Sequence, residues 1–180
     1  VRRVLGSTFV FALTLSATVV PEPSGAAVPT IACKALSGTF AFSPPIPKQA
    51  SNAQRLTITM TNAKLSGCTG AQGATGTLSF SVKTKAAESC TRLVTGYAAT
   101  GTETIRWSKG KTTTVALTLA AVKNQGIDKP TANGPVTAGY LKGQRQAAPL
   151  LMVKAPSDCA KPGTPGTMTL RKNTKLTISK

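Results

Sequence analysis

The sequence predicts an all-β domain built as a two-sheet antiparallel β-sandwich, immunoglobulin-like or jelly-roll-like, with about nine strands. Three observations predict it. Threonine and glycine are abundant while aromatic residues make up 4% of the chain, a composition of strands and turns. Short runs alternate apolar and polar residues with period two. Turn signals separate those runs at near-regular spacing. A closed β-barrel is the alternative, because the same alternation serves both architectures.

Residues 1–27 read as a secretory signal peptide containing a signal helix. Arg2 and Arg3 supply the positive start, residues 5–20 the apolar stretch, and Ser24-Gly25-Ala26-Ala27 the small residues a signal peptidase reads. Residues 28–180 then form a single exported domain. Gly6, Ser7, Thr14 and Ser16 interrupt the apolar stretch, which favours cleavage over a retained anchor.

In the exported part, Thr39-Phe40-Ala41-Phe42 is the first strand pattern, and Pro44, Pro45 and Pro47 then force a loop. Residues 55–65 place Leu56, Ile58 and Met60 on one face and Thr57, Thr59 and Thr61 on the other. Residues 67–76 read as a flexible glycine-rich loop. Residues 77–85 form a strand with Leu78, Phe80 and Val82 inward, and residues 91–97 form a weaker one. Residues 102–107 set Ile105 and Trp107 on one face, a parity that Glu103 shares. Residues 111–122 do the same with Val115, Leu117 and Leu119. Residues 124–135 read as a turn-rich connection, and 136–141 and 150–153 as strands. After the loop at 162–166, residues 168–170 and 176–178 close the chain. No helix is expected after the signal peptide.

All four cysteines follow the signal peptide. An exported chain with an even cysteine count is expected to be disulfide-bonded. Of the three possible pairings, Cys33–Cys68 with Cys90–Cys159 is preferred. It ties the opening strand to the end of the next long one, and the middle of the domain to the loop before the last strands. No Cys-x-x-Cys spacing marks a redox pair, so these bonds read as staples.

The charge inventory restricts chemistry. The chain carries 22 basic and 5 acidic residues, a net +17, and no histidine. That excludes Ser-His-Asp and Cys-His catalysis and every histidine metal site. Beyond the signal peptide the acids are Glu88, Glu103, Asp128 and Asp158, scattered along the chain. No cofactor is expected. A carboxylate-dependent hydrolase is the one enzyme class left as an alternative, and it needs two of these acids to converge in a cleft.

Other motifs have plain readings. Ser108-Lys109-Gly110-Lys111 matches a Ser-x-x-Lys pattern but falls between two strand patterns, where a hairpin turn with Gly110 is expected. Gly67, Gly70, Gly73 and Gly76 lack the following helix that a phosphate-binding loop needs. Trp107 reads as a core anchor rather than a sugar-stacking platform. Basic residues spread along the chain, with Arg171, Lys172, Lys175 and Lys180 as the densest tail cluster and the candidate anion-binding residues. Too few aromatic residues accompany them for a specific nucleic-acid module.

Ser43-Pro44-Pro45, Leu65-Ser66-Gly67-Cys68-Thr69-Gly70 and Gly101-Thr102-Glu103-Thr104-Ile105-Arg106-Trp107 resemble recurring pieces of small secreted actinobacterial β-rich proteins with two disulfides. The resemblance covers most of the exported part. It implies export and a β fold and assigns no site. The sequence thus points to an exported or envelope-associated non-enzymatic protein without a transmembrane anchor after cleavage. Its basic surface would bind anionic cell-envelope or other extracellular polymers.

Overall fold

Closure of the sheet is decided at Gly38. In the computed structural model, which describes residues 30–70, 74–93, 95–121, 130–150, 166–171 and 173–180, the first extended run breaks there into β1 (Ile31–Ser37) and β2 (Thr39–Ser43). A Cβ on Gly38 would stand 2.7 Å from the Ala63 Cβ and 2.9 Å from the Met60 sulfur. A side chain does not fit at that crossing. β3 (Thr57–Thr69) bends at the same level, pairing with β2 through its first half and with β1 through its second.

The bend in β3 is a β-bulge. Met60 lies opposite Phe80 of β4 (Thr75–Thr84) and Ala63 opposite Leu78, so Thr61 and Asn62 together face Ser79. Asn62 takes φ 52°, the left-handed region that asparagine tolerates. The extra residue shifts the inward set from Ile58 and Met60 to Ala63 and Leu65. A bulge bends the strand and raises its twist, as barrel closure requires.

β5 (Tyr97–Trp107), β6 (Thr112–Ala121), β7 (Thr131–Gly139) and β8 (Arg145–Pro149) follow, each antiparallel to the one before. β9 (Thr167–Thr169) pairs with β2, while β10 (Thr174–Ser179) joins β8 to β1. β1 with β2 forms one stave and β9 with β10 another, which gives a closed 8-strand antiparallel barrel.

The two-sheet sandwich, immunoglobulin-like or jelly-roll-like, is therefore incorrect, and the closed barrel holds. The physical reason is that period two reports which face of each strand is buried. Closure depends on non-local pairing of the last strands with the first.

Several elements differ too. The loop expected at 67–76 is shorter at both ends, since β3 runs to Thr69 and β4 begins at Thr75, with 71–73 outside the described residues. Of residues 91–97, expected as a strand, only Tyr97 is described as strand, the first residue of β5. The segment contains most of a one-turn helix, α1 (Cys90–Leu93), where Arg92 N–H bonds to Ser89 Oγ at 3.3 Å. β7 begins inside the connection expected at 124–135, and β8 lies before the strand expected at 150–153, of which 151–153 are outside the described residues. A 3₁₀ turn at Ala50–Asn52 completes the elements. The signal peptide, residues 1–27, also lies outside the described residues.

The lumen is packed with Phe40, Ile58, Met60, Leu65, Leu78, Phe80, Ile105, Trp107, Leu117, Leu119, Leu176 and Ile178. Phe40 and Phe80 meet with ring centroids 5.4 Å apart and tilted. Outward positions carry threonine, serine and lysine. Apolar inside and polar outside is the reverse of a membrane-spanning barrel. Among the described residues no helix is long and apolar enough to cross a membrane.

Cys33 lies directly across from Cys68 in the β1–β3 register, and the two form a disulfide. It ties the bent strand β3 to β1. Cys90 is buried and disulfide-bonded. Cys159, its expected partner, lies outside the described residues.

Candidate functional site

Two polar features stand out, one inside the barrel and one on its outer face. Inside, the parity of β5 carries Glu103 into the lumen with Ile105 and Trp107, as the sequence predicts. The Glu103 residue is 1% exposed and Gln146, from β8, is 2% exposed. Burial pushes the Glu103 carboxyl up to about 8, opposed by the side-chain amide of Gln146. The fit between them is loose. Glu103 Oε1 and both amide atoms of Gln146 have no hydrogen bond of good geometry.

Near the rim at the end of β5, the Trp107 indole and the Thr113 hydroxyl are satisfied, whereas the Tyr140 hydroxyl has no hydrogen-bond partner. Trp107 Nε1 donates to Thr113 Oγ1 at 2.8 Å, and that hydroxyl donates to the Tyr140 carbonyl at 2.8 Å. Trp107 is 3% exposed and therefore a core anchor, as expected. Ser108-Lys109-Gly110-Lys111 forms the expected hairpin turn, with Gly110 at φ +83° and its N–H bonded to the Trp107 carbonyl at 2.9 Å. The Lys111 ammonium sits 5.0 Å from the centre of the Tyr140 ring.

The other described acid, Glu88, sits at the opposite rim, bridged through its backbone to Gln54. Burial raises its pKa and Arg92 opposes the shift. Glu88 also helps to raise the pKa of Tyr97, at the start of β5, behind the larger effect of burial. Tyr97 and Glu103 are separated by about 20 Å of extended strand. Glu88 and Glu103 therefore occupy different levels of the barrel and do not form a carboxylate pair. Asp128 and Asp158 lie outside the described residues.

On the outer face, three hollows cross β3, β4 and β5. The first, about 500 Å³, is bordered by Lys64, Ser66, Thr75, Thr77, Arg106 and Ser108, with Gly76 and the edge of Trp107 at its floor. The second, about 440 Å³, is lined by Asn62, Thr77, Ser79, Thr104 and Arg106. The third, about 340 Å³, includes Thr59, Thr61, Ser79, Ser81, Thr102 and Thr104. Thr77 and Arg106 belong to the first two, and Ser79 and Thr104 to the last two, so the hollows adjoin in a row, a shallow furrow along this face.

The β3 bulge shapes this furrow. It turns both Thr61 and Asn62 outward, and the Asn62 N–H donates to Ser79 Oγ at 2.9 Å. That bond uses the serine oxygen as an acceptor and leaves its O–H to donate. Thr77 pairs with Arg106 and Ser79 with Thr104 across β4 and β5, which places each pair within about 5 Å at Cβ.

The electrostatics are one-sided. Every described lysine and arginine is exposed, while both described acids, Glu88 and Glu103, are buried. Arg92 lies near enough to Glu88 to interact with it, and the described outer face otherwise carries positive side chains with no exposed acidic side chain to offset them.

The tail residues selected from sequence do not gather at one point. Lys175 lies on the outer face of β10, Arg171 precedes that strand and Lys180 follows it, beside the β7–β8 rim where Ser179 pairs with Arg145. Lys172 lies outside the described residues. The furrow residues Asn62, Lys64, Thr77, Ser79, Thr104 and Arg106 escaped sequence reasoning. One signal pointed to them: the inward parity changes between Met60 and Ala63, which marks a bulge.

Comparison with protein-family models, curated proteins and solved structures finds no match to the chain.

Proposed function

We propose that this is an exported, non-enzymatic binding protein that adheres to anionic envelope or extracellular polymers through its basic surface. One observation carries the reading: the described lysines and arginines are all exposed and both described acids are buried. After loss of residues 1–27, with Arg2, Arg3 and Glu22, 20 basic and 4 acidic residues remain, and a net +16 arranged in this way attracts polyanions over roughly a Debye length. The Cys33–Cys68 disulfide fits an oxidising, extracellular setting. The polar outer face fits a barrel that works in water.

The test is retention on immobilised poly(glycerol phosphate), with uncharged dextran as the reference polymer. Binding to the phosphate polymer should fall steeply between about 50 mM and about 500 mM salt, as screening shortens the reach of surface charge. Retention that high salt leaves unchanged, or equal retention on dextran, overturns the reading.

A further inference from the structure

We infer that the furrow across β3, β4 and β5 is a dedicated binding site for a linear phosphodiester polymer with hydroxylated spacers. The inference rests on the polyanion reading and gives it a location.

The donor set favours phosphodiester. Around the second hollow, donors come from three strands: the Asn62 amide from β3, the Thr77 and Ser79 hydroxyls from β4, and Thr104 and Arg106 from β5. Hydroxyl and amide donors beside a guanidinium suit an oxygen-rich anion such as a phosphodiester. The guanidinium fork of Arg106 suits a bidentate grip on phosphate, and Lys64 adds a point charge in the adjoining hollow.

The furrow is also long. It spans the outer positions of β4 from Thr75 to Ser81, about 20 Å of strand. A chain of several repeats can lie in it, with hydroxylated spacers hydrogen-bonded to Thr59, Ser81 and Thr102. The aromatic residues that line it, Trp107 and Phe80, are 3% and 5% exposed. Base stacking, which single-stranded nucleic acid needs, has no platform here.

The experiment compares two double variants that remove the same charge. Arg106→Ala with Lys64→Ala empties the furrow of cations. Lys142→Ala with Lys175→Ala removes two from the β7–β8 turn and β10. Affinity for soluble poly(glycerol phosphate) should fall at least about 10-fold in the furrow variant and about 2-fold or less in the control; two lost ion pairs justify the larger figure. Thr77→Val, which preserves charge and shape, should weaken binding by about 3-fold, the loss of one hydrogen bond.

Equal losses in the two double variants overturn the furrow and leave diffuse adhesion standing. Absence of salt-sensitive binding by the unaltered protein overturns the polyanion reading itself. Polygalacturonate should bind more weakly than the phosphate polymer, and equal binding overturns the phosphodiester assignment. Tighter binding of oligothymidylate overturns it in favour of nucleic acid. Competition by inorganic phosphate as effective, per phosphate, as the polymer would reduce the site to one for a single anion and overturn the linear chain.

Discussion

Glu103 of β5 and Gln146 of β8 face each other inside a mostly apolar barrel, and neither satisfies the other fully. An acid there is held in its neutral form near pH 7, because an ionised carboxylate would sit among Leu117, Val115 and Ile105 without a counter-ion.

That relationship sets the pH dependence of stability. The carboxyl binds its proton more tightly in the folded barrel, up to about 8 against an ordinary 4.5. The contribution to stability is therefore complete below pH 4.5 and declines as pH rises toward 8, by up to about 1.4 kcal/mol per pH unit. The chain has no histidine to titrate in that window, and the smaller shift at Glu88 has the same sign. Urea unfolding at intervals from pH 5 to pH 9 should show this decline, and Glu103→Gln should flatten it. A rise in stability across the window, or an unchanged slope in the variant, contradicts the assignment.

The Cys33–Cys68 bond closes a sequence separation of 35 residues. Constraining a loop of that length in the unfolded chain is worth about 4 kcal/mol before strain. Cys33→Ala with Cys68→Ala should lower the unfolding free energy by about 2–4 kcal/mol in urea titrations. An unchanged midpoint would show that β1–β3 pairing alone suffices. No described cysteine is free, so exported protein should be lighter than its reduced form by one hydrogen for each of the four cysteines.

Gly38 is a position in the first stave with no room for a side chain. Gly38→Val would drive methyl groups into the Ala63 Cβ and the Met60 sulfur. Destabilisation of about 1–3 kcal/mol is expected, read as a fall in thermal midpoint. An unaffected midpoint means that the β1–β2 break and the β3 bulge can relax independently.

Trp107 is the only tryptophan, and its indole N–H is bonded to Thr113. Thr113→Val preserves shape but removes that acceptor, leaving a buried donor unpaired at a cost of about 1–3 kcal/mol. Tryptophan fluorescence should change at the same time, since the reporter is the group that loses its partner. Unchanged emission and stability would remove the bond from the account.

Most strands were legible because their inward residues repeat every second position, as with Leu78, Phe80 and Val82 or Val115, Leu117 and Leu119. β8 was not, since Arg145-Gln146-Ala147-Ala148-Pro149 presents a glutamine and an alanine to the lumen instead of branched apolar residues. Helix α1 was hidden because Cys90 and Leu93 suit either a turn of helix or an irregular strand. Barrel closure was illegible for a different reason. It depends on contacts between Ile31 and Ile178 and between Phe40 and Met168, at opposite ends of the sequence. The inward direction of Glu103 and the Cys33–Cys68 pair were readable from parity and spacing. The furrow was not, because its residues come from three strands and have no motif of their own.

The most direct test of the central claim is a titration of isotope-labelled protein with poly(glycerol phosphate), followed through backbone amide shifts. The account predicts saturable shifts concentrated at Asn62, Lys64, Thr77, Ser79, Thr104 and Arg106, with little change at Lys142, Lys175 and Lys180. Shifts spread evenly over all exposed lysines and arginines, or centred on β10, would contradict it.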